Sequence, residues 1–171
     1  MLEFIAIALG IILVIPMIYA GIVGAPLVWT PKGAIRLGLD AANVPRGGLF
    51  VDIGAGTGRM IAIAAKEYGL RAIGYELSPP WLVLGWLYLF FKRARGAELR
   101  FANAFTQDLS KVDVVFCFLS VGAMKRLKEK FQRELKSGAI VISYSFSLPG
   151  WTPEQIIEGC PPGKLFLYRK T

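Results

Sequence analysis

The sequence predicts an α/β domain built on a doubly wound, mostly parallel sheet, preceded by one hydrophobic N-terminal helix. Three features predict it. From residue 49 onward short apolar runs alternate with helical segments, the pattern of strands joined by crossover helices. The first run leads into a glycine-rich turn that opens a helix, Val51-Asp-Ile-Gly-Ala-Gly-Thr-Gly-Arg59. The 28 residues from Phe4 to Pro31 carry no charge at all.

That uncharged run is the first element. A bilayer core is crossed by about 20 helical residues, so the run is long enough to span it. Pro16 removes a backbone donor in mid-run, which membrane helices tolerate. Trp29 stands where an interfacial aromatic belongs. Lys32, Arg36 and Arg46 follow the run and only Glu3 precedes it, a bias that places the rest of the chain in the cytoplasm. A cleaved signal peptide would need a basic leader and a shorter apolar core, and neither is present. Residues 1–31 therefore read as a retained single-pass membrane anchor, and residues 32–171 as one domain of ordinary size.

The remaining elements follow in order. Lys32 to Leu39 suits a short helix before the turn-like Asn43-Val-Pro-Arg-Gly-Gly48. Leu49 to Ile53 is a buried strand. Met60 to Tyr68 has helical composition, with Gly69 as its stop. Arg71 to Leu77 is a second strand, Pro79 to Arg95 a second helix of the domain, and Glu98 to Ala104 a third strand. Val112 to Leu119, almost wholly apolar, is a fourth and central strand. Gly122 to Lys136 is a charged helix, Ala139 to Phe146 a fifth strand, and Trp151 to Glu158 and Lys164 to Lys170 two shorter terminal strands.

Composition narrows the chemistry. The net charge is +8, and Glu3 is the one charged side chain before Lys32, so the excess of positive charge lies in the domain. Such a surface favours anionic partners, phospholipid headgroups or nucleic acid. There is no histidine, which excludes Ser-His-Asp hydrolysis, Cys-His proteolysis and histidine metal sites. Cys117 and Cys160 make neither a disulfide framework nor a zinc site, and no metal is expected. What is left is chemistry that relies on positioning and a reactive cofactor.

The glycine turn points to that cofactor. Glycines let a backbone bend tightly and approach a ligand, and the helix that follows offers free amide donors. A nicotinamide site would read G-x-G-x-x-G, whereas here the third glycine is Gly58 and the dinucleotide position is Arg59. Asp52, two residues before Gly54, and Glu76, 24 residues after Asp52 at the end of the second strand, are the carboxylates. A carboxylate at the second position accepts ribose hydroxyls, which identifies an adenosyl ligand better than one cofactor. The spacing resembles motif I of the class I S-adenosylmethionine methyltransferases, with a Rossmann-like sheet. In that resemblance Asn103-Ala-Phe105 occupies the place where the adenine edge and face are held.

A closer resemblance rests on three further runs: Gly24-Ala-Pro-Leu-Val-Trp-Thr-Pro31, Gly74-Tyr-Glu-Leu-Ser-Pro-Pro-Trp-Leu-Val83 and Phe146-Ser-Leu-Pro-Gly-Trp-Thr-Pro153. They resemble the membrane-associated lysine methyltransferases that modify the ATP synthase c-subunit and the adenine nucleotide translocase, and the chain reads as a compact prokaryotic relative. It departs from them after the fourth strand, at Phe118-Leu-Ser-Val-Gly-Ala-Met124, a region that commonly faces the methyl acceptor.

The resemblance implies S-adenosyl-L-methionine as cofactor, with S-adenosyl-L-homocysteine as product. It implies cofactor contacts from Asp52, Ile53, Gly54, Ala55, Gly56, Thr57 and Gly58, from Glu76 and Leu77, and from Asn103, Ala104 and Phe105. It also implies an acceptor lysine on a membrane protein. No residue stands out as a general base; Thr30, Asn103, Ser120 and Tyr144 are the candidates for orienting the amine. A lipid or small-molecule methyltransferase would share the cofactor features, and a non-catalytic membrane adaptor would keep the fold.

Two runs have rival readings. Ser78-Pro-Pro-Trp81 resembles the motif of adenine and cytosine amino-methyltransferases, but that motif follows the fourth strand and this one follows the second. It reads instead as a helix start with proline in the first turn, and nucleic acid is not the expected partner. Trp81 to Phe91 carries no charge, and Lys92, Arg93 and Arg95 follow together. A helix apolar all round is buried or in lipid. Its outer face is expected to be covered by the domain or by the N-terminal helix, or to dip into an anionic membrane surface with the basic cluster on phosphates.

Overall fold

Val114–Cys117 and Ile140–Tyr144 have no solvent-facing side, and in the computed structural model both are buried along their whole length at the centre of a seven-stranded sheet. The structure describes Met1, Glu3, Phe4, Gly10 and residues 29–171. The expected membrane helix falls almost entirely outside the described residues. Among the described residues no helix is long and apolar enough to cross a membrane.

The strands are β1 (Leu49–Ile53), β2 (Arg71–Glu76), β3 (Ala97–Phe101), β4 (Val114–Cys117), β5 (Ile140–Tyr144), β6 (Gln155–Cys160) and β7 (Gly163–Arg169). The helices are α1 (Lys32–Ala42), α2 (Arg59–Tyr68), α3 (Pro79–Phe91) and α4 (Val121–Glu134), with one 3-10 turn at Ala104–Thr106. The order across the sheet is β3-β2-β1-β4-β5-β7-β6. The first five strands pair in parallel, and β7 lies antiparallel to both β5 and β6. The mostly parallel, doubly wound reading is therefore observed, closed at one edge by an antiparallel hairpin.

Alternate residues of each strand face opposite layers. Phe50, Phe116 and Ile142 join the core under α1, α2 and α3. Val51, Val115 and Val141 join the core that includes Ala123, Met124, Leu127 and Phe131 of α4. The helix after the N-terminal run is fixed by charge as well as packing: Arg36 on α1 holds Glu67 on α2 through two hydrogen bonds of 2.6 Å. This places Trp29 and Thr30, immediately before α1, over the carboxyl ends of the central strands.

Most element ends shift by a few residues from the sequence reading, and two of the shifts have a visible cause. β3 ends at Phe101 rather than Ala104, because the Asn103 side chain accepts the Phe105 amide and winds the chain into the 3-10 turn. α3 stops at Phe91 rather than Arg95, and Arg93 has φ 49°, which breaks the helix. On α4 Lys125, Arg126 and Arg133 are exposed, whereas Lys130 is buried and paired with Glu134 at 2.5 Å.

Candidate active site

β1 and β4 are neighbours in the sheet, but the chain visits β2 and β3 between them. Beyond the carboxyl ends of such a pair the connecting loops part, leaving the crevice where open α/β sheets bind ligands. A cleft open to solvent lies there. Asp52 and residues Gly54 to Thr57 form one wall, Phe116 and Phe118 another, and Trp29, Thr30, Arg59, Met60 and Trp81 close the sides.

The glycine turn is shaped by its backbone. Gly54, Gly56 and Gly58 have φ of 79°, 54° and 70°, values that a side chain at those positions would oppose. The amides of Gly54 and Ala55 both donate to the Tyr75 carbonyl at 3.0 Å, fastening the turn to β2. Gly74 makes room for it, since a Cβ there would stand 2.6 Å from that of Ala55. Gly58 then opens α2, whose first amides point toward the cleft end of the sheet.

Two buried carboxylates sit behind this turn. Glu76 accepts the Gly56 amide at 2.8 Å on one oxygen, and the amides of Leu77 and Ser78 at 2.9 and 2.7 Å on the other. Its orientation is thereby set before any ligand arrives. Asp52 is only 3% exposed, and burial, followed by the nearby charge of Glu76, pushes its carboxyl up to about 8. Ser78 Oγ is buried beside Glu76 and, among the described residues, is the buried side-chain polar atom without a hydrogen-bond partner.

The sequence-derived residues divide cleanly. Asp52, Gly54, Ala55, Gly56 and Thr57 come together in the cleft wall, and Thr30 joins them. Gly58 ends the same turn. Glu76 and Leu77 adjoin it through the amide bonds just described, and Asn103, Ala104 and Phe105 lie next to Glu76, whose carbonyl accepts the Ala102 amide at 3.2 Å. Ile53 and Ala104 turn their side chains into the core on the α4 side, which leaves their backbone for contact. Phe105 carries the Arg126 guanidinium on its ring at 4.1 Å.

Ser120 and Tyr144 are not brought into the cleft. The Ser120 hydroxyl caps α4 by accepting the Ala123 amide at 3.4 Å. The Tyr144 hydroxyl donates to the Cys160 carbonyl at 2.9 Å and accepts the Gly163 amide at 3.1 Å, so it is committed to the β6–β7 hairpin. Its ring supports the cleft indirectly, meeting Phe118 edge-on at 4.9 Å. Both hydroxyls are thus engaged within the fold, Ser120 at the start of α4 and Tyr144 at the β6–β7 hairpin.

Residues that motif reasoning did not place also line the cleft. Trp29 and Trp81 meet edge-on at 6.5 Å, and Arg59 stacks over Trp29 at 4.8 Å. Their signal lay in the runs that carry the family resemblance and in the last position of the glycine motif, but nothing in the spacing says that these segments converge.

The donor set fits a cationic adenosyl ligand. Two buried carboxylates without a countercharge accommodate positive charge and hydroxyl donors, and Arg59 offers a carboxylate the cation it needs.

The profile of the ANTKMT methyltransferase domain family matches residues 52–155. A protein-lysine N-methyltransferase of Saccharolobus islandicus is 33% identical over 135 residues, covering 78% of this chain and 84% of that protein. The lysine N-methyltransferase of the ATP synthase c-subunit from Xenopus laevis is 40% identical over 116 residues, 65% of this chain, which spans 49% of that longer relative. Among solved structures, an RNA methyltransferase from Salinibacter ruber in complex with S-adenosyl-L-homocysteine superposes with a TM-score of 0.78 at 25% identity, covering 83% of this chain and 93% of that one.

Proposed function

The chain belongs to the ANTKMT methyltransferase domain family, and from that premise we propose that it is a protein-lysine N-methyltransferase acting on a membrane protein. Its cofactor is S-adenosyl-L-methionine, and its sheet is that of a class I methyltransferase. The observation that carries the lysine reading is the cleft itself, which joins an acidic floor at Asp52 to an aromatic mouth of Trp29, Trp81 and Phe118. A long aliphatic side chain ending in an amine matches that mouth. Relatives named for the ATP synthase c-subunit support a membrane acceptor.

When bound, the cofactor supplies an electrophilic methyl group. The chain's residues supply position and surroundings. Glu76, held by three amides, is set to receive ribose hydroxyls, and Asp52 meets positive charge. The aromatic mouth strips water from the entering ammonium, whose reference pKa is about 10.4, and so favours the neutral amine that can attack. Thr30, at the edge of the cleft, orients an amine N–H.

Residues 1–31 are proposed to anchor the domain, residues 32–171, to the bilayer on its cytoplasmic side. The uncharged run and the lysines and arginines that follow it support this. Incubation of the full chain with tritiated cofactor and native membranes tests the whole reading. Label recovered as methyl-lysine in a membrane protein is the expected result. Label extracted with lipid would replace it with a lipid methyltransferase, label released by nuclease with a nucleic-acid one, and no transfer or cofactor binding with a non-catalytic adaptor.

A further inference from the structure

α3 presents two faces to two different surroundings. Leu82, Gly85 and Leu89, one stripe at helical spacing, are buried against the sheet. Gly85 allows this approach, because a Cβ there would collide with the Leu99 side chain. Trp86 ties the helix to the edge strand β3 by donating from its indole to the Leu99 carbonyl at 3.0 Å. The opposite face is apolar and, among the described residues, uncovered. Val83, Leu84 and Leu87 are about half exposed, and Phe90 and Phe91 are 75% and 76% exposed. A contiguous apolar stripe of this kind on a folded domain marks an interaction surface.

The ends of the helix indicate what the stripe meets. At its C-terminal end Lys92, Arg93 and Arg95 are all exposed, and Lys66 reaches the same place by donating to the Lys92 carbonyl at 2.7 Å. Glu98, the acidic residue closest in sequence, is already paired with Arg100 at 2.7 Å. At the N-terminal end Trp81 meets Trp29, two residues before the uncharged run Phe4–Pro31 ends. The apolar stripe thus begins beside the end of the proposed anchor and finishes in a cationic cluster.

We propose that this outward face of α3 lies in the headgroup region of an anionic bilayer, with Lys92, Arg93 and Arg95 on lipid phosphates. The site mouth, formed by Trp29 and Trp81, is thereby held at the membrane surface. The inference rests on the membrane-acceptor reading and sharpens it: the acceptor lysine is one placed at the lipid–water boundary. Apolar stripe and basic cluster together match an interfacial helix. The chain's own N-terminal run carries no charge to satisfy the cluster, and a second copy would bring the same positive charge against it.

The test uses the full chain reconstituted in liposomes of phosphatidylcholine with anionic phosphatidylglycerol. Spin labels are placed at Leu87→Cys, Phe91→Cys and, as a control on the exposed loop between α4 and β5, Ser137→Cys; the native Cys117 and Cys160 are buried. Collision with oxygen, which partitions into lipid, is compared with collision with a water-soluble nickel chelate. The expected ratio at positions 87 and 91 is severalfold above that at 137. It should fall to the control value when Lys92, Arg93 and Arg95 are all changed to Glu.

Labels at 87 and 91 that match the control in the unaltered background would overturn the proposal. So would labels shielded from both reagents, which would mean that protein covers the face. A chain that floats with the liposomes while its labels stay in water fails this inference alone. A chain that does not float fails the anchor as well.

Discussion

The carboxyl ends of β1–β3 and those of β4–β5 border the same cleft, yet they are built differently. On the first side the functional groups are free to act. The glycine turn exposes its backbone, Asp52 lies buried in the cleft wall, and Glu76 is held by amides that leave its carboxylate facing the turn. On the second side the polar groups are spent on the fold. Ser120 caps α4, Tyr144 bridges the β6–β7 hairpin, and Ser143 donates to the Phe146 carbonyl at 2.5 Å. What the second side contributes to the cleft is aromatic surface, Phe116 and Phe118. On the proposed function, the cofactor would be met by the polar first side and the acceptor by the aromatic second side.

The sharpest way to break this contrast is at Glu76. Glu76→Ala removes the ribose partner and leaves the amides of Gly56, Leu77 and Ser78 without their acceptor. A lost partner of this kind costs about 2–5 kcal/mol, so cofactor affinity should fall by about 30-fold or more. Equilibrium dialysis reads the loss, and circular dichroism establishes that the variant is folded. A folded variant that binds normally would mean that the first side is not the cofactor side.

A smaller effect is expected at the mouth. Trp29→Ala opens the wall that Arg59 and Trp81 pack against, and the lost aromatic contacts, about 0.5–1.5 kcal/mol, should raise the acceptor KM by roughly tenfold at most. Cofactor affinity should move less, and the two constants measured together separate the sides.

The smallest effects belong to the residues whose polar groups are structural. Tyr144→Phe should lower stability by about 1 kcal/mol for the bonds it loses, and Ser120→Ala by about 0.5 kcal/mol, the weak end for a cap bond this long. Neither should change kcat by more than about twofold, since neither touches the cleft. Denaturant melts and initial rates check both. A large loss of rate at unchanged stability would place a catalytic hydroxyl on the second side after all.

The same contrast explains what could be read from the sequence. The order of elements was legible because the central strands are buried on both faces and so appear as unbroken apolar runs such as Val114-Val-Phe-Cys117. The glycine turn that walls the cleft was legible because glycines at positive φ are demanded by backbone geometry, and that demand is written at fixed spacing. The opposite wall was not. Serine and tyrosine near strand ends serve caps and hairpins as readily as catalysis, and only the partners of Ser120 and Tyr144 decide between them. The convergence of Trp29, Arg59 and Trp81, from three separate segments, has no local signature. The bare face of α3 was half legible: an uncharged helix had to be buried or in lipid, and the stripe of Leu82, Gly85 and Leu89 shows how little of it the sheet needs.

The central claim is that a buried acidic pair behind the glycine turn receives a positively charged cofactor, and Asp52 offers its most direct test. Burial and Glu76 hold its carboxyl up to about 8 in the ligand-free protein, against 3.8 for the ordinary group. Between those values the native state keeps a proton that the unfolded chain gives up, so this group's contribution makes the ligand-free protein less stable as pH rises. Asp52→Asn should relieve that loss, most clearly above pH 8. A cation binds the ionised carboxyl, so the affinity for S-adenosylmethionine should rise toward pH 8 by up to about tenfold per pH unit. The measurement is calorimetric titration of the detergent-purified chain with S-adenosylmethionine from pH 6 to 9, beside Asp52→Asn. The ligand's own titration is common to both proteins, so the difference between the profiles belongs to Asp52. Binding that strengthens with pH in the parent and more weakly in the variant is the predicted result. Identical profiles, or no binding by a folded parent chain, would contradict it.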